Sequence, residues 1–208
     1  MGLNTLNGLY VITDNILTPQ SSMMYQVELA LQGGAKIVQH RDKINSLLHV
    51  KETALELESL CKKYNATFVL NDEVDLAIEL GLSGLHVGKS DHHRVEEIRK
   101  IFFGYLGISC YGDIALAKQM QDLGVDYVAF GSFFKSPTKP ASAVVDLEVL
   151  SKAKEELDIP VCAIGGINSE NVAQVMKHNP DMICLISDIW KSEDIQKQSK
   201  IVSKLYEG

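Results

Sequence analysis

The sequence predicts an α/β fold, a (β/α)₈ TIM barrel of the small kind that carries few insertions. Three observations support this prediction. Eight short apolar runs recur along the 208 residues, helical patterns lie between them, and no low-complexity linker divides the chain. A single domain over residues 1–208 is therefore expected, because this length supports one well-buried core.

The eight apolar runs have the length and the composition of strands buried on both faces, as the strands of parallel sheets are. In chain order they are Leu9–Ile12, Lys36–Gln39, Thr67–Leu70, Gly84–Val87, Leu106–Ser109, Tyr127–Phe130, Pro160–Ile164 and Met182–Ile186. Eight strand-then-helix units in one short chain indicate closure into a barrel. An open doubly wound sheet is the alternative, but the turn after its first strand is expected to read G-x-G-x-x-G, whereas this one reads Thr13-Asp14-Asn15.

The segments between the runs carry start and stop signals of helices. Helices are expected to begin near Ser22, Asn45, Glu73, His92, Asp113, Asp146, Ser169 and Ser192. Glycines mark several of the expected ends, at Gly33, Gly81 and Gly124.

Composition excludes several classes of partner. The net charge of −7 lacks the basic excess of a nucleic-acid-binding protein. No apolar run approaches the roughly 20 residues that span a membrane, and Asp14 interrupts the first run too early for a signal peptide. A cytoplasmic protein without membrane or nucleic-acid partners is expected. The four cysteines form no C-x-x-C pair and are predicted to be buried free thiols.

Two cations follow the second apolar run. The active sites of such barrels lie at the carboxyl ends of the strands, so the residues after each run are the candidates for chemistry. Arg41 and Lys43 are two residues apart and therefore point to the same side of an extended segment. The planar fork of an arginine and the compact charge of a lysine both suit phosphate oxygens. A solvated helix start is the alternative.

Two acids follow the next two runs. Asp72 and Asp91 can converge on one Mg²⁺ ion, which prefers a few carboxylates together with phosphate oxygens of the substrate. Each could instead cap the helix after it. His86 lies within an apolar run and is expected to be packed, while His92 and His93 are adjacent and diverge on a helix.

A second anion site is expected after the last two runs. Gly165-Gly166 follows the seventh run and Ser187 the eighth. The loops at these places commonly hold a phosphate on backbone N–H groups, and glycine lets the backbone approach closely. The sequence thus predicts two anion sites on one rim.

Together, in this order, these segments resemble the thiamine phosphate synthase family over about Leu9 to Ile189. The matching pieces are the Gln-x-Arg-x-Lys of Gln39–Lys43, Asn71-Asp72, Gly84–Gly88 leading to Asp91, Gly107-Ile108-Ser109, the Gly131 loop ending in Thr138-Lys139, Ala163–Ile167, and Ile186-Ser187.

The resemblance implies the activity, the cofactor and the residues. The family joins 4-amino-2-methyl-5-hydroxymethylpyrimidine diphosphate to 4-methyl-5-(2-phosphoethyl)thiazole, carboxylated or not, and releases pyrophosphate with the help of Mg²⁺. Position by position, the resemblance implies that the pyrimidine diphosphate is bound by Gln39, His40, Arg41, Asp42, Lys43, Asn71, Ser109 and Lys139. It implies that the thiazole phosphate is bound by Ser136, Pro137, Thr138, Gly166, Ile186 and Ser187, and Mg²⁺ by Asp72 and Asp91. The implied catalytic residues are Arg41, Lys43, Ser109 and Lys139.

Pyrophosphate would leave from a benzylic-like carbon of an electron-rich ring, so a dissociative, carbocation-like mechanism is expected. The implied partners are small phosphorylated molecules, and a homodimer is the candidate assembly.

The chain departs from the family pattern at several places. His40 stands where the family often has Leu, and Ser136-Pro137-Thr138 replaces a Thr-x-Thr. Lys89-Ser90 replaces a Gln-Glu pair before Asp91, while Asn179–Asp181 and Cys184-Leu185 are unusual around the last strand.

Three other functions compete with the synthase. A thiazole tautomerase on the same barrel would keep the phosphate site near Gly166 and Ser187 but would not need two acids. A non-catalytic barrel that binds a phosphorylated ligand is the second, and an enzyme with Lys139 as a Schiff-base amine is the third. Retention of both Asp72 and Asp91 with the Gln-x-Arg-x-Lys set favours the synthase.

Overall fold

A computed structural model of the chain describes residues 6–135 and 144–207, and within them eight parallel strands close into a barrel. The strands are β1 Gly8–Ile12, β2 Ile37–His40, β3 Thr67–Asn71, β4 Gly84–Val87, β5 Tyr105–Tyr111, β6 Tyr127–Phe130, β7 Val161–Ile164 and β8 Met182–Leu185. Each pairs with the next, and β8 pairs with β1. The prediction of a small (β/α)₈ barrel is confirmed.

Helices surround the strands. They are α1 Gln20–Gln32, α2 Leu47–Lys63, α3 Val74–Leu80, α4 Val95–Ile101, α5 Ile114–Asp122, α6 Glu148–Glu156, α7 Val172–Met176, α8 Ser187–Trp190 and α9 Ile195–Ser203. A 3₁₀ helix, Lys89–Arg94, precedes α4, and another, Lys204–Tyr206, follows α9. The helical segment expected from His92 therefore begins earlier, as a 3₁₀ turn.

Two of the predicted helix signals are confirmed by their hydrogen bonds or dihedral angles. The carboxylate of Asp113 accepts a 2.9 Å hydrogen bond from the backbone N–H of Leu116 and caps α5. Gly81 ends α3 in the left-handed region, with φ of 58°.

Other predicted starts are wrong by a few residues. Helix α1 begins before Ser22, because Pro19 takes the N-cap position with extended dihedral angles. Ser46 rather than Asn45 caps α2, since the amide of Asn45 donates to Asp42 instead. Residues 168–171 form a turn in which Asn168 accepts from the N–H groups of Glu170 and Asn171, so α7 begins only at Val172 and not at Ser169.

The last two starts show the same kind of shift. Asp146 accepts from the N–H of Glu148, but the N-cap position of α6 is Leu147. The carboxylate of Asp194, two residues after Ser192, caps α9 by accepting from the N–H of Lys197.

Alternation along the strands creates two cores. Outward-facing residues such as Leu9, Val38 and Phe68 pack with helix residues such as Val27 and Leu57. The inward-facing set fills the barrel and consists of Leu6, Tyr10, Ile12, Ile37, Val69, Tyr127, Ala129, Cys162, Met182 and Cys184.

One glycine makes room for a large ring in the barrel. A methyl group at Gly107 would lie 2.0 Å from Cζ of Tyr127, so only glycine at this place leaves space for that ring. Gly107 also lies opposite Tyr127 in the register of β5 and β6. The position of the Tyr127 ring therefore depends on the missing side chain of its neighbour.

All four cysteines are free and buried, as predicted. Within residues 6–135 and 144–207, no helix is long and apolar enough to cross a membrane.

Candidate active site

A cavity of about 880 Å³ opens at the carboxyl ends of the strands. Every strand contributes to its wall, as expected for a barrel active site. The strand residues that line it are Tyr10, Ile12, Gln39, Asn71, His86, Ser109, Tyr111, Ala129, Cys162, Ile164 and Cys184. The volume is in the range of pockets that hold small molecules.

Seven of the predicted site residues line this cavity. They are Gln39, Arg41, Asn71, Ser109, Gly166, Ile186 and Ser187. They come from the ends of β2, β3 and β5 on one side and of β7 and β8 on the other. Closure of the barrel thus brings residues almost 150 positions apart to one pocket. Ser136, Pro137, Thr138 and Lys139 lie outside the described residues.

A chain of hydrogen bonds crosses the floor of the cavity. Gln39 Nε2 donates to Tyr10 Oη at 2.7 Å, and Tyr10 Oη lies 2.9 Å from Tyr127 Oη. Tyr127 Oη lies 2.9 Å from Nδ1 of His86, whose Nε2 lies 2.9 Å from Ser109 Oγ. The chain therefore begins and ends on two predicted substrate-binding residues.

The two tyrosines of this chain are buried. Burial, with a smaller effect from nearby ionisable groups, raises the pKa of Tyr10 and of Tyr127 well above 10. Both hydroxyls consequently keep their protons at neutral pH and can donate and accept at the same time.

Three cations line the described part of the cavity: Arg41, Lys135 and Lys191. The backbone N–H of Arg41 donates to Thr13 Oγ1 at 3.1 Å, which holds the start of the β2–α2 segment against β1. Among the described residues, no hydrogen bond or ion pair engages the guanidinium group of Arg41. Its donors are therefore available to an anion in the cavity.

Lys43, Asp72 and Asp91 lie beside the cavity rather than in its described lining. Lys43 Nζ lies 2.5 Å from Asp72 Oδ2, and both side chains are partly exposed. Asp91 accepts from Ser90 Oγ at 2.7 Å and lies 3.6 Å from Arg94. Each of the two acids predicted to bind metal thus has a positive group nearby.

The backbone of Gly88 connects the two acids. A methyl group at Gly88 would lie 3.9 Å from Asp72 Oδ1, and the carbonyl of Gly88 accepts from the N–H of Asp91 at 3.1 Å. Asp72 has a positive φ of 65°, a region that non-glycine residues seldom occupy and that is found more often at functional sites.

The described residues contain no group of three or more His, Cys, Asp or Glu side chains placed to hold a metal ion. A site built on Asp72 and Asp91 would need further oxygen ligands from water or substrate, which is the arrangement that Mg²⁺ favours.

The opposite wall of the cavity is made of backbone. Gly165 and Gly166 have φ of 101° and 69°, and a methyl group at Gly166 would lie 2.5 Å from the carbonyl oxygen of Phe134. Only glycine meets both conditions at Gly166. Ser187 begins the short helix α8, which Trp190 holds to β1 through a 2.6 Å hydrogen bond from Nε1 to the carbonyl of Ile12.

Comparisons with known proteins identify the family. The family model described as thiamine monophosphate synthase matches residues 9–189. The chain belongs to the thiamine monophosphate synthase family.

Relatives agree over almost the whole length of the chain. It is 41% identical to a thiamine-phosphate synthase of Wolinella succinogenes, over 94% of this chain and 92% of the relative. It is 36% identical to that of Thioalkalivibrio sulfidiphilus, over 97% of this chain and 96% of the relative. The solved thiamine phosphate pyrophosphorylase from Pyrococcus furiosus superposes with a TM-score of 0.87 at 35% identity, over 99% of this chain and 98% of that one.

The part of the chain that matches the thiamine monophosphate synthase family includes every predicted site residue, yet the cavity extends beyond it. Lys191, Ser192 and Gln198 line the cavity but follow residue 189. Sequence reasoning missed Lys191, whose position after a short helix carried no signal. It also missed Tyr10 and Tyr127, and it expected only packing for His86, which is buried but also lines the cavity.

His40 and Asp42 lie away from the described lining, although the resemblance to the family assigned them to substrate. His40 alternates with Gln39 and points out of the barrel, where its Nδ1 lies 3.1 Å from Thr13 Oγ1. Burial opposes ionisation of Asp42, but hydrogen bonds from Asn45, from the N–H of Ile44 and from Asn15 hold the pKa of its carboxyl below the usual range. Both side chains therefore hold in place the segment that carries Arg41.

His40 should make the protein less stable in acid. Burial lowers the pKa of His40 from 6.5 to about 4, so the folded state stays neutral while the unfolded state takes up a proton. Stability from this residue is present above pH 6.5 and is lost as the pH falls toward 4. Relative to a His40→Leu variant, the wild type should lose about 2 kcal/mol of unfolding free energy between pH 7 and pH 4.5.

Urea denaturation at the two pH values measures this difference. His93 is exposed, so His93→Leu should keep the pH dependence of the wild type. Parallel pH dependences for the wild type and His40→Leu would show that His40 is protonated in the folded state.

Proposed function

We propose that the chain is a thiamine-phosphate synthase, which joins 4-amino-2-methyl-5-hydroxymethylpyrimidine diphosphate to 4-methyl-5-(2-phosphoethyl)thiazole, carboxylated or not, with release of pyrophosphate. The observation that carries this proposal is a single cavity with two walls suited to anions. Arg41 lies on one wall, and the backbone around Gly166 and Ser187 forms the other. A reaction between two phosphorylated molecules needs this arrangement.

The wall formed by β2, β3 and β5 suits the pyrimidine diphosphate. Gln39, Asn71 and Ser109 offer polar groups to a ring, and Arg41 offers a planar fork to the diphosphate. Lys43 stands on the same side, and the resemblance adds Lys139 from outside the described residues. The wall at β7 and β8 suits the smaller thiazole phosphate, with Lys191 as a further cation at its edge.

The two rim acids fit Mg²⁺. Both offer hard carboxylate oxygens, and Asp72 already holds the cation of Lys43 at 2.5 Å. We propose that Asp72 and Asp91 bind Mg²⁺ together with oxygens of the diphosphate. When bound, the ion would offset the negative charge that grows on the departing pyrophosphate.

The residues of the chain can promote the reaction by charge and by position. The bond from the pyrimidine methylene carbon to the diphosphate oxygen breaks, and a carbon–nitrogen bond to the thiazole forms. Arg41 and Lys43 stabilise the charge that collects on the leaving group. The thiazole nitrogen already carries a lone pair, so Gly166 and Ser187 need only hold its phosphate in place.

The first test measures synthase activity directly. Purified protein with both substrates and Mg²⁺ should form thiamine phosphate and pyrophosphate, and excess chelator should stop the reaction. Asp72→Asn and Asp91→Asn should each lower kcat/KM by roughly 10²-fold, because each removes a charged ligand.

Asp75→Asn is the matched control, since Asp75 is exposed on α3 only three residues from Asp72. Normal turnover in excess chelator would refute the metal site. Absence of product from the wild type with Mg²⁺ present would refute the synthase proposal itself.

The second test separates the two walls. Arg41→Ala should raise mainly the KM for the pyrimidine diphosphate, because it removes a bidentate phosphate contact. Ser187→Ala should raise mainly the KM for the thiazole phosphate. Gly166→Ala is a poorer probe, because the added methyl group would meet the backbone of Phe134. The opposite pattern of KM changes would reverse the assignment of the walls.

A cytoplasmic location stays a prediction from the sequence.

We also propose that the chain forms a homodimer. Four exposed apolar residues lie on two neighbouring segments after β1 and β2: Ile16, Ile44, Leu47 and Leu48. A 2.8 Å hydrogen bond from Asn15 to Asp42 joins the segments. An exposed apolar patch of this kind is typical of a protein interface.

Analytical ultracentrifugation tests this assembly. A dimer should be converted to monomer by Leu47→Asp with Leu48→Asp but not by Phe103→Asp, because Phe103 is even more exposed but lies after α4. A wild type that is monomeric at every concentration would refute the dimer.

A further inference from the structure

The hydrogen-bonded chain below the cavity can run in only one direction if every buried proton is to have an acceptor. Gln39 Nε2 donates to Tyr10 Oη, so the amide supplies the first proton of the chain. A buried hydroxyl whose proton finds no acceptor is costly. Tyr10 therefore donates its own proton to Tyr127, 2.9 Å away.

The same rule continues through the histidine. Tyr127 has accepted from Tyr10, so its proton goes to Nδ1 of His86 at 2.9 Å. A neutral imidazole that accepts on Nδ1 carries its proton on Nε2. Nε2 then donates to Ser109 Oγ at 2.9 Å. The hydroxyl proton of Ser109 is left to point into the cavity.

We propose that Tyr127 is a positioning residue: its hydroxyl fixes the Nε2–H tautomer of His86, so that Ser109 presents a donor to the substrate ring. At the other end, Gln39 donates its Nε2 to Tyr10 and presents its amide oxygen to the same ring. The inference rests on the proposed function only for the identity of that ring. An aminopyrimidine carries a donor amine beside an acceptor ring nitrogen, and so matches an acceptor from Gln39 and a donor from Ser109. The pattern of hydrogen-bond donors and acceptors on the substrate ring is thus selected by Tyr127, which lies below the substrate and does not contact it.

The hydroxyl of Tyr127 can be tested apart from its ring. The ring fills the space that Gly107 leaves, so Tyr127→Phe keeps the packing and removes only the relay. Burial raises the pKa of Tyr127, and the hydroxyl therefore stays protonated over the pH range of an assay. Tyr10→Phe breaks the chain one step earlier and leaves the contact between Tyr127 and His86 in place.

Nitrogen-15 NMR of the histidine rings provides a measurement that does not depend on activity. The resonances of His86 are assigned by their loss in His86→Gln. In the wild type, His86 should be neutral with the proton on Nε2. Tyr127→Phe should shift the Nδ1 resonance and populate the other tautomer, whereas Tyr10→Phe should leave the tautomer unchanged. Tyr64→Phe is the matched control, because the hydroxyl of Tyr64 bonds to Glu28 outside the barrel.

Steady-state kinetics provides the second measurement. Tyr127→Phe should raise the KM for the pyrimidine diphosphate by roughly fivefold to tenfold, as the loss of one oriented hydrogen bond does, and should leave the KM for the thiazole phosphate unchanged. A wild-type His86 with its proton on Nδ1 would overturn the proposal. So would a Tyr127→Phe variant that loses thermal stability but keeps the tautomer and both KM values.

The two proposals fail in different ways. A wild type without synthase activity but with the expected His86 tautomer would refute the aminopyrimidine as ligand and leave the positioning role of Tyr127 standing. An active enzyme whose His86 tautomer is unchanged in Tyr127→Phe would refute that role and leave the synthase proposal standing.

Discussion

Closure of the eight strands is the constraint on which the site depends. Parallel strands that all run the same way bring their carboxyl ends to one rim, and each strand can place only alternate residues inside. Gln39 and His40 illustrate the consequence, because these adjacent residues of β2 point to opposite faces of the strand. Gln39 faces the cavity and hydrogen-bonds to Tyr10, whereas His40 faces outward and is buried beside Thr13.

A polar floor inside an apolar barrel must satisfy its own hydrogen bonds. A buried polar group without a partner is costly, and a fully connected network avoids that cost. The barrel interior places Tyr10 Oη and His86 Nδ1 each 2.9 Å from Tyr127 Oη, and Gly107 leaves the space that the Tyr127 ring occupies. A fully connected network of this kind holds its side chains in fixed positions. This favours a site that orients a ring over one that adapts to it.

The sequence predicted local structure where one residue determines it. It did not predict contacts between residues that are distant along the chain. Asp113 caps its helix as predicted because a short carboxylate needs only the next turn as a partner. Ser22 failed as a cap because the rigid φ of Pro19 set the start of α1 first. Tyr10 and Tyr127 lie 117 positions apart, and their contact depends on barrel geometry that no local pattern contains. A signal did exist, since a polar group within a strand buried on both faces needs a partner inside the barrel.

The overall charge of the chain has little bearing on what its cavity binds. A net charge of −7 would repel two phosphorylated substrates if it were spread evenly. The described lining instead carries three cations against two carboxylates, Asp14 and Asp188. Asp188 accepts hydrogen bonds from Ser169 and Gln198, and Asp14 accepts from the N–H groups of Ile16 and Leu17. Because fields in a low-dielectric cleft are set by the nearest groups, the pocket is positive within an acidic protein. Attraction between the cavity and an anion is then short-ranged, so specificity falls to the hydrogen bonds of the floor rather than to long-range steering.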